Sequence, residues 1–211
     1  MRIRITFAKT EAMRLIGHLD LFKTWERTLR RAKIPIAYSQ GFHPNPRMNL
    51  ASALPLGITS DCELLDFWLE TPLDLSVIHE NLQKALPSGI QIHSIEEIHS
   101  QSPALQTQVV AAEYVVTLLK PIEDLHMRIN HLLSTKNLPR NRRGKSYDLR
   151  ALIEELSLQP CKSDAPPQLF MRLTAREGAT GRPDDVLDAI GIPITEVRIK
   201  RTQLILKNPS P

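Results

Sequence analysis

Lys23, Arg27, Arg30 and Arg31 follow i, i+4, i+7, i+8 spacing, which gathers four cations on one face of a helix. Like charges so placed repel one another, and Glu26 offers only partial relief. A phosphate backbone would neutralise them, with an affinity that falls as salt rises. The bland alternative is a solvated helix face. A second group, Pro139-Arg140-Asn141-Arg142-Arg143-Gly144-Lys145, holds four cations in six residues. With its glycine and asparagine it predicts a flexible basic loop of the kind that orders on RNA, where guanidinium forks suit phosphate. Arg198, Lys200 and Arg201 extend that surface from a strand. A third group is Ser39-Gln40-Gly41-Phe42-His43-Pro44-Asn45-Pro46-Arg47. Two prolines stiffen it, and it offers Phe42 for stacking, His43 for hydrogen bonding or proton transfer, and Arg47 for an anion.

Other chemistry is thinner. His18, at the start of the first helix, could face His43, and two histidines can serve as acid and base in RNA cleavage; a structural or binding histidine is the plainer reading. Gly178-Ala179-Thr180-Gly181-Arg182-Pro183 precedes a helix and could hold a phosphate on free backbone N–H groups, with Arg182 beside it. It lacks the P-loop lysine pattern. Trp68, near Arg2 and Arg4 on an open sheet face, could stack a base. The two cysteines, Cys62 and Cys161, are isolated. They predict neither a disulfide framework nor a metal site, and a radical-SAM cluster would need three clustered thiolates, so no cofactor is expected in this chain.

The elements that must position these groups alternate between strand and helix. Ile3, Ile5 and Phe7 alternate with Arg2, Arg4 and Thr6, the pattern of a half-buried strand over 2–8. A helix from about His18 carries Leu19, Phe22, Leu29 and Ala32 as its expected buried stripe, with Gly17 before it and Ile34-Pro35 ending it. A short strand over 36–39, the irregular loop, a strand over 63–70, a helix over 75–86 and a strand over 90–93 complete the first set. The order β-α-β-β-α-β is that of the ferredoxin-like fold. The pattern recurs as a strand over 113–119, a helix over 122–134, a strand over 168–175, a short helix from Pro183 to about Ile190, and a strand over 195–206. Between them, Leu149, Leu152, Ile153 and Leu156 fit a helix where the template wants a strand. The expectation is an α+β protein of two tandem ferredoxin-like domains, 1–99 and 112–211, joined by a linker over 100–111.

Charge is unevenly spread along the 211 residues. Residues 1–50 hold ten Lys/Arg against three Asp/Glu, whereas residues 51–100 hold one against eight. Segregated basic charge suits a polyanion, although the two blocks could neutralise each other once folded. No apolar run is long enough to cross a bilayer, and the alternating first residues read as a strand instead of a signal peptide. A cytoplasmic protein without a membrane partner is expected.

Gly17-His18-Leu19-Asp20-Leu21, Glu26-Arg27, Arg30-Arg31-Ala32, Tyr38-Ser39-Gln40-Gly41-Phe42-His43-Pro44 and Pro46-Arg47 resemble the radical-SAM-linked protein family of unknown function. Gly181-Arg182-Pro183, Val186-Leu187 and Arg201-Thr202 extend the likeness over nearly the whole chain. Members of that family are encoded beside, or fused to, a B12-type radical-SAM protein, often near genes for an RNase E/G-type ribonuclease and ribosomal proteins. The resemblance implies an RNA-binding accessory role in RNA or ribosome modification, with the radical-SAM protein encoded separately. A fainter, architectural likeness to CRISPR repeat-processing endoribonucleases implies metal-independent RNA cleavage by His43 and His18 instead. A protein-binding scaffold for the radical-SAM partner is the third reading.

Overall fold

The structure, a computed structural model, describes residues 1–142, 144–160 and 165–207. The chain divides into two units, Met1–Gln108 and Val109–Pro211.

The first unit is organised on β1 (Arg2–Lys9). Ile3, Ile5 and Phe7 enter the core as their alternation predicts, but the strand is covered on both faces: Arg2 and Arg4 are only 2% and 7% exposed. The reason is Asp66, fully buried on the neighbouring strand, which receives Arg2 Nε and Nη2 on Oδ2 at 2.9 and 2.6 Å and Arg4 Nε on Oδ1 at 2.7 Å. Arg2 also donates to the Ser102 and Pro103 carbonyls at 2.6 and 2.9 Å. Residues 100–108 of the segment read as a linker therefore belong to the first unit, where Leu105 is fully buried.

α1 (His18–Arg31) follows Gly17, whose carbonyl receives the Leu21 N–H at 2.9 Å. Asp20 in its first turn and Arg30 and Arg31 in its last suit the helix dipole. Its buried residues are Leu21, Trp25, Thr28 and Leu29, and the expected Leu19 is 74% exposed. Trp25 fixes the rotation by meeting Phe7 edge-on, ring centroids 4.8 Å apart. Leu19, six residues earlier, is turned about 120° away from it. Lys33 takes a left-handed conformation (φ 54°) after the helix, ahead of Pro35.

The strand expected over 36–39 is only a pair of isolated bridges, Ile36 to Leu69 and Tyr38 to Pro46. Pro35 and Pro46 have no N–H to donate, so pairing cannot spread there. The second strand is β2 (Met48–Leu50). β3 (Thr59–Trp68), α2 (Leu75–Ala85), β4 (Ile90–Ile98) and the one-turn α3 (Leu105–Gln108) follow. The sheet order is β2-β3-β1-β4, every pair antiparallel. α2 buries Ile78 and Leu82 against it.

The second unit opens on β5 (Val109–Leu118), which starts earlier than Glu113 because Val109 and Ala111 are also buried. α4 (Leu125–Ser134) carries Leu125, Ile129 and Leu132 inward. The hairpin β6 (Pro139–Arg142) and β7 (Lys145–Asp148) comes next. Then come β8 (Ile153–Gln159), β9 (Gln168–Arg176), β10 (Ala179–Thr180), α5 (Pro183–Ala189) and β11 (Val197–Leu206). The order is β8-β9-β5-β11, with β10 also on β9, again antiparallel. The helix suggested by Leu149, Leu152, Ile153 and Leu156 is instead a single 3₁₀ turn over Arg150–Leu152 leading into β8. A register shift between Ile153 and Glu155 sends Ile153 and Leu156 to the same buried side. An extra residue in a strand thus imitates helical spacing.

Each unit is mixed α+β with a largely antiparallel sheet. No helix among the described residues is long and apolar enough to cross a membrane.

Candidate nucleic-acid interface

The helical period places Lys23, Arg27 and Arg30 about 140–160° around α1 from Trp25. Trp25 is fully buried, so the three cations point away from the core, and all are exposed. None forms an ion pair among the described residues, and Glu26 relieves none of them. Arg31 diverges from this stripe. Its Nη2 donates to the Ala85 carbonyl of α2 at 2.6 Å and lies 3.5 Å from Thr28 Oγ1. There it joins Lys33 and Lys84 in the lining of a cleft of about 560 Å³. Lys33 and Lys84 were not among the residues the sequence singles out, because no local pattern links them.

The proline-rich loop is braced at its neck. Ser39 N–H donates to the Asn45 carbonyl at 2.8 Å, Asn45 N–H to Ser39 Oγ at 3.0 Å, and Arg47 N–H to the Ala37 carbonyl at 2.8 Å. The tip holds Phe42, fully exposed, and His43, also exposed. A large aromatic side chain held wholly in water on a braced loop suits base stacking. Arg47 instead turns back over the Trp68 ring, 5.1 Å from its centroid, and Arg2 lies at the same distance. Trp68 is half-buried and already engaged by these two guanidiniums, not offered on an open sheet face. His18 is the first residue of α1 and half-buried.

The basic segment of the second unit carries the hairpin of β6 and β7, with Gly144 at φ 78° between the two strands. Arg140 and Arg142 face α5. Arg140 Nη2 meets Asp188 Oδ2 at 3.3 Å, and Arg142 pairs with Asp185. Tyr147 donates its hydroxyl to the same Asp185 oxygen at 2.7 Å. These carboxylates offset the charge counted in the sequence. Lys145 is exposed, and Arg143 lies outside the described residues, as does Cys161. Arg182 pairs with Asp184 at 2.8 Å, and the Gly181 N–H is spent on the Thr174 carbonyl at 2.9 Å. The expected phosphate turn before α5 is thus largely committed to the fold. Arg198 and Lys200 are exposed on β11, whereas Arg201 between its neighbours is fully buried. Among the described residues no group of three or more His, Cys, Asp or Glu is arranged to hold a metal ion.

Burial, with the hydrogen bond to Asp185, raises the Tyr147 phenol above its ordinary value. Asp185→Asn removes the negative charge that disfavours the phenolate. The Tyr147 titration is therefore expected to fall towards its ordinary range, as read by ultraviolet absorbance. An unmoved midpoint would show that burial alone sets it.

A family model described as an uncharacterized protein conserved in bacteria, DUF2344, matches residues 2–183. The chain belongs to that family. The part of this DUF2344 chain that is matched includes α1, the braced loop and the hairpin. No curated protein matches it. Among solved structures it is similar to a chain in a crystal structure of a Cbf5-Nop10-Gar1 complex, at 8% identity and a TM-score of 0.49, covering 96% of this chain and 48% of that one. A chain of the archaeal box H/ACA sRNP Nop10-Cbf5 complex matches at 9% identity and a TM-score of 0.45, covering 96% and 48%. A third, from an H/ACA RNP bound to a substrate RNA containing 2'-deoxyuridine, matches at 8% and 0.42, covering 89% and 44%. The DUF2344 chain spans about half the length of the first two.

Proposed function

We propose that this DUF2344 protein is an RNA-binding accessory protein that works beside a separate radical-SAM enzyme in RNA or ribosome modification. Its two units are read as tandem ferredoxin-like domains. The order β2-β3-β1-β4 in the first and β8-β9-β5-β11 in the second supports that reading. The likeness of residues 17–47 to the radical-SAM-linked family supports the choice of partner.

One observation carries the RNA contact: Lys23, Arg27 and Arg30 project from α1 opposite its core stripe with no carboxylate paired to them among the described residues. Among the described residues most arginines of the second unit are already spent on acids or carbonyls, so the first unit is the better polyanion surface. The α1 stripe would track phosphates, which fix register without reading sequence. Phe42 would stack on an unpaired base, and His43 beside it would hydrogen-bond a base edge.

The combined variant Lys23→Ala/Arg27→Ala/Arg30→Ala is expected to bind single-stranded RNA more weakly. Each lost phosphate contact lowers the log–log salt slope by about 0.7, so the slope should fall by about 2. Arg140→Ala/Arg142→Ala should change the slope by less than about one, because those arginines are ion-paired. Fluorescence anisotropy at several salt concentrations measures both. A slope untouched by the triple variant removes α1 from the interface.

A further inference from the structure

The C-terminal ends of α1 and α2 meet where Arg31 Nη2 donates to the carbonyl of Ala85, the last residue of α2. The cleft of about 560 Å³ at this junction is lined by the polar Arg31, Lys33, Asn81 and Lys84 and, among apolar residues, by Leu86 and Pro87. The volume falls within the range of small-ligand sites.

Cations near helix C-termini have an ordinary explanation, because each end carries about half a negative charge. Magnitude separates that explanation from a binding site. Two helix ends offset about one positive charge, whereas three cations line the cleft. None of the three forms an ion pair among the described residues. About two positive charges are left over. Arg31 is also anchored: Nη2 makes its two contacts, and Nε and Nη1 have no partner among the described residues. A fixed guanidinium with open donors, two lysines and a neutral amide form a set suited to phosphate oxygens. A phosphodiester carries one negative charge, whereas a phosphate monoester carries about −1.5 to −2 near neutral pH. The excess charge matches the monoester.

We propose that this cleft binds a phosphate monoester, carried by the phosphorylated end of an RNA strand whose backbone runs along α1. The choice of carrier rests on the RNA reading above; the affinity for the phosphate group does not. Leu86 and Pro87 give the terminal sugar an apolar wall.

The test uses the full chain and one oligoribonucleotide sequence in three forms: 5′-phosphate, 3′-phosphate and no terminal phosphate. One terminal phosphate is expected to tighten binding about tenfold. The gain should disappear in Lys33→Ala/Lys84→Ala and survive in Lys33→Arg/Lys84→Arg. It should also grow between pH 5.5 and 7.5, as the monoester loses its second proton near pH 6. Lys23→Ala/Arg27→Ala/Arg30→Ala should weaken all three forms and leave the gain in place. Equal binding of the three forms by the unaltered protein overturns the cleft assignment and leaves the RNA reading standing. If none of them binds, the RNA reading fails, and calorimetric titration with inorganic phosphate decides the cleft. Heat that is lost in Lys33→Ala/Lys84→Ala supports a monoester site serving a smaller carrier, and no heat overturns it.

Discussion

Asp66→Asn is expected to cost the first unit about 3–5 kcal/mol, because among the described residues it removes the one carboxylate paired with two buried guanidiniums. Asp66 is 0% exposed, Arg2 2% and Arg4 7%. Four guanidinium N–H groups converge on its two oxygens, the longest contact being Arg4 Nη2 to Oδ2 at 3.0 Å. Asparagine keeps the volume and one acceptor oxygen but loses the charge, and arginine cannot shed its proton in response. Arg2 would keep the Ser102 and Pro103 carbonyls; Arg4 has no such second set of partners among the described residues. A domain has about 5–15 kcal/mol in total, so urea unfolding of the full chain should show the first unit melting far earlier. Arg4→Met is the informative companion. It leaves Asp66 paired with Arg2 and fills the site with apolar volume, so its cost should be much smaller. Equal costs for the two variants would mean that packing, not charge, dominates the site.

The same cluster shows what was legible in the letters and what was not. The alternation of Ile3, Ile5 and Phe7 located β1 and its core face, because a strand's two-residue period is a local property. The cover over Arg2 and Arg4 was hidden, since Asp66 lies 64 and 62 residues away. α1 was legible in extent, through Gly17 and Pro35, but not in rotation. A single large side chain, Trp25, decides which of several near-equivalent stripes faces inward, and Leu19 lost that competition. The helical look of Leu149 to Leu156 came from a 3₁₀ turn followed by a register shift in β8, which no periodicity can distinguish from a longer helix. Charge behaved in the same way. The helical period alone put Lys23, Arg27 and Arg30 on one outward face, so that stripe survived folding. Arg142 and Arg140 of the hairpin were equally visible as a count, but Asp185 and Asp188 arrive 43 and 48 residues later and balance them. Lys33 and Lys84 went unremarked for the converse reason: each is an ordinary lysine until two helix ends bring them to one cleft.

Trp25→Ala is expected to destabilise the first unit by about 3–5 kcal/mol, the usual cost of deleting a large aromatic from a packed interior. Trp25 is fully buried and packs edge-on against Phe7 of β1, so its removal detaches α1 from the sheet at the centre of their contact. Trp25→Phe should cost far less. It keeps an aromatic ring for Phe7, and it also deletes the indole N–H, which finds no acceptor among the described residues. A buried donor left unmatched costs about 1–3 kcal/mol, a penalty that phenylalanine escapes and that offsets part of its lost volume. The consequence for binding follows from the helix period. Because Trp25 fixes the rotation of α1, it also fixes the outward heading of Lys23, Arg27 and Arg30, without touching any ligand itself. Trp25→Phe should therefore keep the salt slope of RNA binding unchanged, while Trp25→Ala should lose affinity in step with its loss of folded protein. Urea midpoints paired with anisotropy titrations at two salt concentrations separate these effects. A phenylalanine variant that is stable yet has a flattened salt slope would break the link between the core contact and the basic face.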